Sequence, residues 1–225
     1  MCGRVNVIDN PGLVQLLRDL GIDLALPPAV NVAPTERLSV VRELDHQRSV
    51  DSARWWLTPA WASEVSQRYA MFNARSETLA TSRAFRKPFE SQRAIVPVSS
   101  FIEWRKEGDA KQPYLISSAS GAFAMAALWE VWPGGDAPLL TCTLVTTAAA
   151  PAFEPWHHRM PVALAPQECD LWLDNTRTVE PQHEIFSARL KEPWTVCPLS
   201  RNVSNARNKG LQEMEPIGEA VVLAA

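Results

Sequence analysis

Apolar positions in the first twenty residues follow two different periods. CGRVNVI alternates apolar and polar residues and predicts a strand at the start of the chain. Leu13, Leu16, Leu17 and Leu20 then recur at helical spacing and give one apolar face. Asp9 or Asn10 can cap this helix, Pro11 fits its first turn and Gly21 its end. The stretch LPPAVNVAPTE is too rich in proline for a helix and reads as an ordered loop. LSVVREL reads as a strand, and WWLTPAWA as an aromatic, proline-broken segment. A second helix is predicted over residues 77–85, with Ser76 at its start. Apolar runs at 94–104, 113–118, 122–131, 139–147, 161–165 and 194–199 predict strands, and 166–174 and 181–190 carry short helical patterns. Many short strands with scattered helices imply an α+β fold: a single domain, 1–225, with a curled antiparallel β-sheet or barrel-like core flanked by short helices.

Composition narrows the function classes. The chain has 225 residues, 46% hydrophobic and 21% charged, as soluble globular proteins do. No apolar run reaches membrane-spanning length, and MCGRVNVIDN is no signal peptide. Cys2, Cys142, Cys169 and Cys197 are scattered with no CxxC pair, which argues against a disulfide framework or a zinc site and for a reducing, cytoplasmic setting. No metal or cofactor is expected. The net charge of −3 argues weakly against nucleic acid as a partner, but its distribution reopens the question. Residues 73–106 hold seven basic side chains against three acidic, a stretch at +4 compatible with phosphate contact at one face or with a solvated helix face. Trp55, Trp56 and Trp61 lie in or beside a proline-bounded loop, where they would stack on nucleobases or pack beneath the loop.

Cys2 carries the most distinctive chemistry. Removal of Met1 would leave a cysteine with both a thiol and a free α-amine, of ordinary pKa about 8.5 and about 7.7–8.0. Such a residue can attack an acyl group with its own amine as base. It can also capture an aldehyde, the amine forming an imine and the thiol closing a five-membered thiazolidine. A buried, inert strand start is the competing reading. Three other segments combine polar residues with apolar flanks. In FNARSET, Asn73 can orient an amine or carbonyl and Arg75 can fork onto a phosphate, while Ser76 and Glu77 could simply start a helix. In VSSFIEW, Glu103 lies between Ile102 and Trp104, where burial would raise its pKa; alternation could instead turn it to solvent. In WHHRMP, His157 or His158 can move protons near neutral pH, and adjacent histidines are not metal spacing.

MCGR, APT at 33–35, W-x-x-P-x-W, NARSET, P-x-x-x-F-x-E-W and H-x-R-M-P occur here in order, from Cys2 to about Asn208. In this the chain resembles the SOS response-associated peptidase family of abasic-site processing proteins. The resemblance implies a partner, single-stranded DNA containing abasic sites, and a covalent thiazolidine formed through Cys2. It implies that Asn73 positions the terminal amine, that Glu103 moves protons during imine formation, and that His157 assists sugar ring opening and the reverse reaction. It implies Arg75 as a phosphate contact, with Arg4, Pro34, Thr35, Trp61 and Arg159 along the DNA path. Self-cleavage ahead of the cysteine is a family trait; here only Met1 precedes it, so an ordinary aminopeptidase would suffice. A protein threading single-stranded DNA could act as a monomer, nucleoid-associated when bound. The chain departs from the family pattern at His158, usually acidic, at Ser100, usually glycine, and at Trp56, where glycine is common. Trp56 would either narrow the substrate groove or add a stacking surface. An amidotransferase-type N-terminal-nucleophile hydrolase, which also begins MCG, is the alternative enzyme, although NARSET and HxRMP have no role in it. A non-catalytic single-strand binder is the third class.

Overall fold

A computed structural model describes residues 2–225. In chain order the elements are β1 (Val5–Val7), α1 (Pro11–Asp19), β2 (Ala29–Val32), β3 (Arg37–Leu44), β4 (Gln47–Trp55), β5 (Asn73–Arg75), α2 (Arg86–Ser91), β6 (Arg93–Val98), β7 (Ser100–Glu107), β8 (Ala110–Ser118), β9 (Phe123–Trp132), β10 (Leu139–Ala148), β11 (Arg159–Pro161), β12 (Ala163–Leu164), α3 (Pro166–Leu173), β13 (Trp194–Pro198) and β14 (Val221–Leu223). The strands form two sheets. One runs β14-β13-β8-β7-β1-β2. In the other, β10 pairs with β4 on one side and β9 on the other, so β10-β4-β3-β6-β9 closes on itself as a small barrel. This is the curled, mainly antiparallel α+β fold expected from the pattern; the β10–β4 and β10–β5 pairings are parallel.

Local chemistry explains the boundaries. Asn10 caps α1 by accepting from Leu13 N at 2.9 Å, and Pro11 occupies the first turn. Four expectations are corrected. Residues 29–32 of the proline-rich stretch pair with β1 as a strand, because the prolines flank it rather than interrupt it. The helix predicted over 77–85 is a single 3-10 turn at Ser76–Thr78; the α-helix starts later, at Arg86, where Pro88 fits the first turn. The apolar run 94–104 is two strands in different sheets, parted at Ser99, whose N–H and hydroxyl both donate to Asn6 O at 2.9 and 3.0 Å. Polar β4, not anticipated from the sequence, pairs with β3 through a two-residue turn at Asp45 and His46, both at positive φ, as tight hairpins require.

The core joins both sheets. Phe101, Phe123, Phe153 and Trp194 meet at ring-centroid distances of 5.3–6.2 Å, mostly edge to face. Arg93, on β6, is buried and donates to the carbonyls of Trp172, Phe89, Glu90, Asp174 and Arg177. Those carbonyls lie near the ends of α2 and α3, where unpaired backbone acceptors gather and a cation is favoured. No helix among the described residues is long and apolar enough to cross a membrane.

Candidate active site

β1 delivers Cys2 to the interior. Val5 pairs with Phe101 and Asn6 with Ser100, and Ile102 N donates to Arg4 O at 3.0 Å. That register sets the residues just before β1 beside Glu103 of β7. Cys2 is fully buried, and Asn73 Nδ2 donates to its carbonyl at 2.8 Å. Asn73 is held by β5, which lies parallel to β10 with Leu144 opposite Asn73. Its Oδ1 is buried with no hydrogen-bond partner among the described residues. An amide that orients one group of Cys2 therefore keeps an acceptor aimed into the same buried space.

Burial sets the electrostatics. It pushes the Cys2 thiol well above the ordinary range, and nearby Glu103 adds to the effect. The thiol at rest is thus protonated. Glu103 is itself 3% exposed, which excludes the solvent-facing reading, and burial raises its carboxyl pKa. His157 sits half-buried in the turn before β11. Burial lowers it to about 4, and the His158 ring stacked on it at 4.3 Å opposes a further positive charge. Arg159 N and Arg159 O both lie 3.0 Å from His157 Nδ1, so the backbone donates to that nitrogen in one tautomer of the neutral ring and accepts from it in the other. His158 is exposed.

The remaining predicted residues divide by setting. Arg75 is exposed at the end of β5. Arg159 is 9% exposed, and its fork is engaged inside the fold: Nη1 and Nη2 donate to Glu77 at 2.6 and 3.0 Å, and Nη2 also to Thr146 O at 2.7 Å. Glu77, which read as a helix start, is thus the partner of that arginine. Arg4 donates to Gly3 O at 2.8 Å and lies 5.6 Å from the Trp104 ring, with Nε buried and without a hydrogen-bond partner among the described residues. Pro34 and Thr35 form a turn near Glu36, and Thr35 has φ +80°, an unusual conformation for a β-branched residue. The turn is held by Thr35 N to Trp55 O at 2.9 Å and Ala33 N to Glu36 Oε2 at 2.6 Å. Trp61 is 57% exposed under the Arg83 guanidinium at 4.1 Å. Trp56 is buried and donates to Ser66 O at 3.1 Å, so it packs beneath its loop. The sequence reading missed Asn6 and Asn31, both fully buried; asparagine between Val5 and Val7 was the available signal. The four cysteines are free thiols, and among the described residues no group of three His, Cys, Asp or Glu is placed to hold a metal.

Comparison with known proteins covers nearly the whole chain. The family model "SOS response associated peptidase (SRAP)" matches residues 1–206. The chain is 36% identical over 219 residues to abasic site processing protein YoqW of Bacillus subtilis, covering 91% of this chain and 96% of that protein. It is 30% identical over 227 residues to abasic site processing protein YedK of Escherichia coli, covering 96% and 100%. A crystal structure of a protein from Bacteroides thetaiotaomicron shares the fold, with TM-score 0.75 at 22% identity over 95% of this chain and 99% of that one.

Proposed function

Since the chain belongs to the SOS response associated peptidase family, we propose that it processes abasic sites in single-stranded DNA by forming a covalent thiazolidine through Cys2. The reading requires a chain that begins at Cys2; Met1, whose loss it invokes by self-cleavage or an aminopeptidase, lies outside the described residues. The observation that carries it is the Asn73 amide, bonded to Cys2 O at 2.8 Å with its own Oδ1 unsatisfied, beside a buried thiol and a buried carboxyl. Asn73 Oδ1 accepts from the α-amine and aims its lone pair at the aldehyde of the ring-opened deoxyribose.

Each step balances without a redox partner. Neutral His157 takes the proton of the anomeric hydroxyl and returns it to the ring oxygen as the ring C–O bond breaks and the aldehyde forms. The amine adds to the aldehyde carbon. Glu103, whose carboxyl pKa burial raises, passes the proton that the nitrogen loses to the departing hydroxyl, and one water leaves as the imine forms. The thiol then adds across the C=N bond; the S–C bond forms and the thiol proton passes to nitrogen. A protonated resting thiol suits this order, with the amine attacking first. It suits poorly the amidotransferase alternative, which needs a ready thiolate. Arg75, Arg4, Pro34, Thr35 and Trp61 flank the strand, and Arg159 reaches a phosphate by exchanging Glu77 for it. Purified protein should give a heat-stable, slow-migrating adduct with single-stranded abasic DNA on a denaturing gel, and Cys2→Ala should abolish it. Wild-type protein that yields no adduct while the DNA stays cleavable at the site overturns the reading.

A further inference from the structure

We infer that Asn6 is a positioning residue: through Ser100 and Asn31 it fixes the register of the strand that carries Cys2 against the strand that carries Glu103. The inference rests on the proposed chemistry of Cys2 for its rate readout, but not for its structural one. β1 is only three residues long, and Val5, Asn6 and Val7 are all buried. A strand buried on both faces has no apolar-in, polar-out pattern to select a pairing, so its register is weakly specified by hydrophobicity. A slip of two residues along β7 would keep valines inside and displace Cys2 from Glu103 by about 7 Å.

Asn6 is the polar residue that distinguishes the observed pairing. Its Nδ2 donates to Ser100 Oγ at 3.0 Å, directly across the ladder. Its Oδ1 accepts from Asn31 N at 2.7 Å on the other neighbouring strand, β2. Its carbonyl takes both donors of Ser99. Any other register would leave a buried amide and its partners unsatisfied, at about 1–3 kcal/mol each. Buried polar groups that select a register are their best-attested use. The third member extends the lock. Asn31, at φ +52°, turns its Nδ2 to the carbonyls of Val203, Asn205 and Asn208, at 2.9, 3.2 and 3.1 Å. Residues 203–208 are thereby tied to the same chain of contacts.

Asn6→Leu removes both side-chain bonds at similar volume. The expected result is a roughly 10²-fold slower single-turnover adduct formation, the scale of a misplaced reacting group. Binding to single-stranded DNA carrying a tetrahydrofuran site, which has no aldehyde, should stay within about twofold of wild type, since no phosphate contact changes. Amide hydrogen exchange at Ile102, whose N–H bonds Arg4 O, should accelerate relative to the barrel strands. An adduct rate within about twofold of wild type in folded Asn6→Leu overturns the inference, as does a rate lost only in proportion to melting. Should Asn6→Leu not fold, Ser100→Ala decides: about a tenfold loss restored by Ser100→Thr supports the inference, and no loss overturns it. If wild type forms no adduct, the proposed function fails instead, and Ile102 exchange alone judges the register: acceleration supports it, and unchanged exchange overturns it.

Discussion

Two buried polar regions of this molecule are built to opposite rules. Around Arg93 every arm of a buried guanidinium is satisfied, by five backbone carbonyls at 2.5–3.1 Å, and burial lowers its pKa only to about 10, so it remains charged. Around Cys2, Asn73 Oδ1 and Arg4 Nε are buried with no hydrogen-bond partner among the described residues, and so is Arg159 Nε farther along, where Thr146 joins Arg159 to Ala74. Unsatisfied buried groups cost stability, and on the proposed function those beside Cys2 are kept for the substrate. The closed region holds β6 to α2 and α3. On the proposed function, the open one is where the abasic sugar enters.

The sharpest way to break this contrast is to exchange the two outcomes by mutation. Arg93→Met strands its carbonyls and should cost about 3–5 kcal/mol of stability, as removal of a buried charge from its partners does. The adduct rate per folded molecule should not change. Asn73→Leu removes one hydrogen bond and one unsatisfied acceptor. It should shift stability by only about 1 kcal/mol and slow adduct formation by roughly 10²-fold. Urea unfolding and single-turnover gels measure both. Equal stability losses in the two variants would show that the open region is a packing defect and not a site.

The contrast also explains what the sequence could say. The candidate site residues stood out because their residue types are costly in apolar company: Glu103 between Ile102 and Trp104, Asn73 after Phe72, Cys2 before a valine-rich strand. The strand runs were legible for the same reason, since β6 and β9 are continuous apolar stretches. Satisfaction, in contrast, is a property of three dimensions. Arg93 read as one more member of a basic stretch, yet its partners come from residues 89–90 and 172–177. Arg159 read as a free phosphate contact because Glu77, 82 residues away, could not be seen as its partner. The switch between sheets at Ser99 was marked only by the Ser99–Ser100 pair, because the residues on either side, 94–98 and 101–102, are buried and apolar.

His157 tests the electrostatics of the open region. Its folded-state pKa of about 4 lies below the ordinary 6.5, so the unfolded chain binds the proton more readily between those values. The stability due to its neutral form is therefore complete above pH 6.5 and is lost as pH falls toward 4. A step that uses the neutral ring should keep its rate down to about pH 5, with no inflection at 6.5, and fall by about tenfold near pH 3. His158→Glu places a carboxylate against the ring and should move the inflection upward. His157→Ala should slow adduct release more than His158→Ala. An inflection at 6.5 in wild type would mean that His157 is solvated while it works, and the open region would then be open to water as well.

The smallest effect belongs to the exposed rim. Arg75 ends β5 in solvent, two residues from Asn73, so its charge faces the approach to Cys2 without being part of the buried set. A side chain of this kind neutralises a phosphate and releases a counterion, and the loss of one such contact weakens all sequences alike. Arg75→Ala should reduce affinity for single-stranded DNA by a few fold at moderate salt and lower the slope of log K against log salt by about 0.7. The rate of adduct formation at saturating DNA should hold. Fluorescence anisotropy over a salt series, paired with saturating single-turnover gels, separates the two quantities. If Arg75→Ala instead slowed the saturated step as Asn73→Leu does, the boundary between rim and buried site would lie farther out along β5, and Arg75 would belong with the groups that touch the reacting sugar.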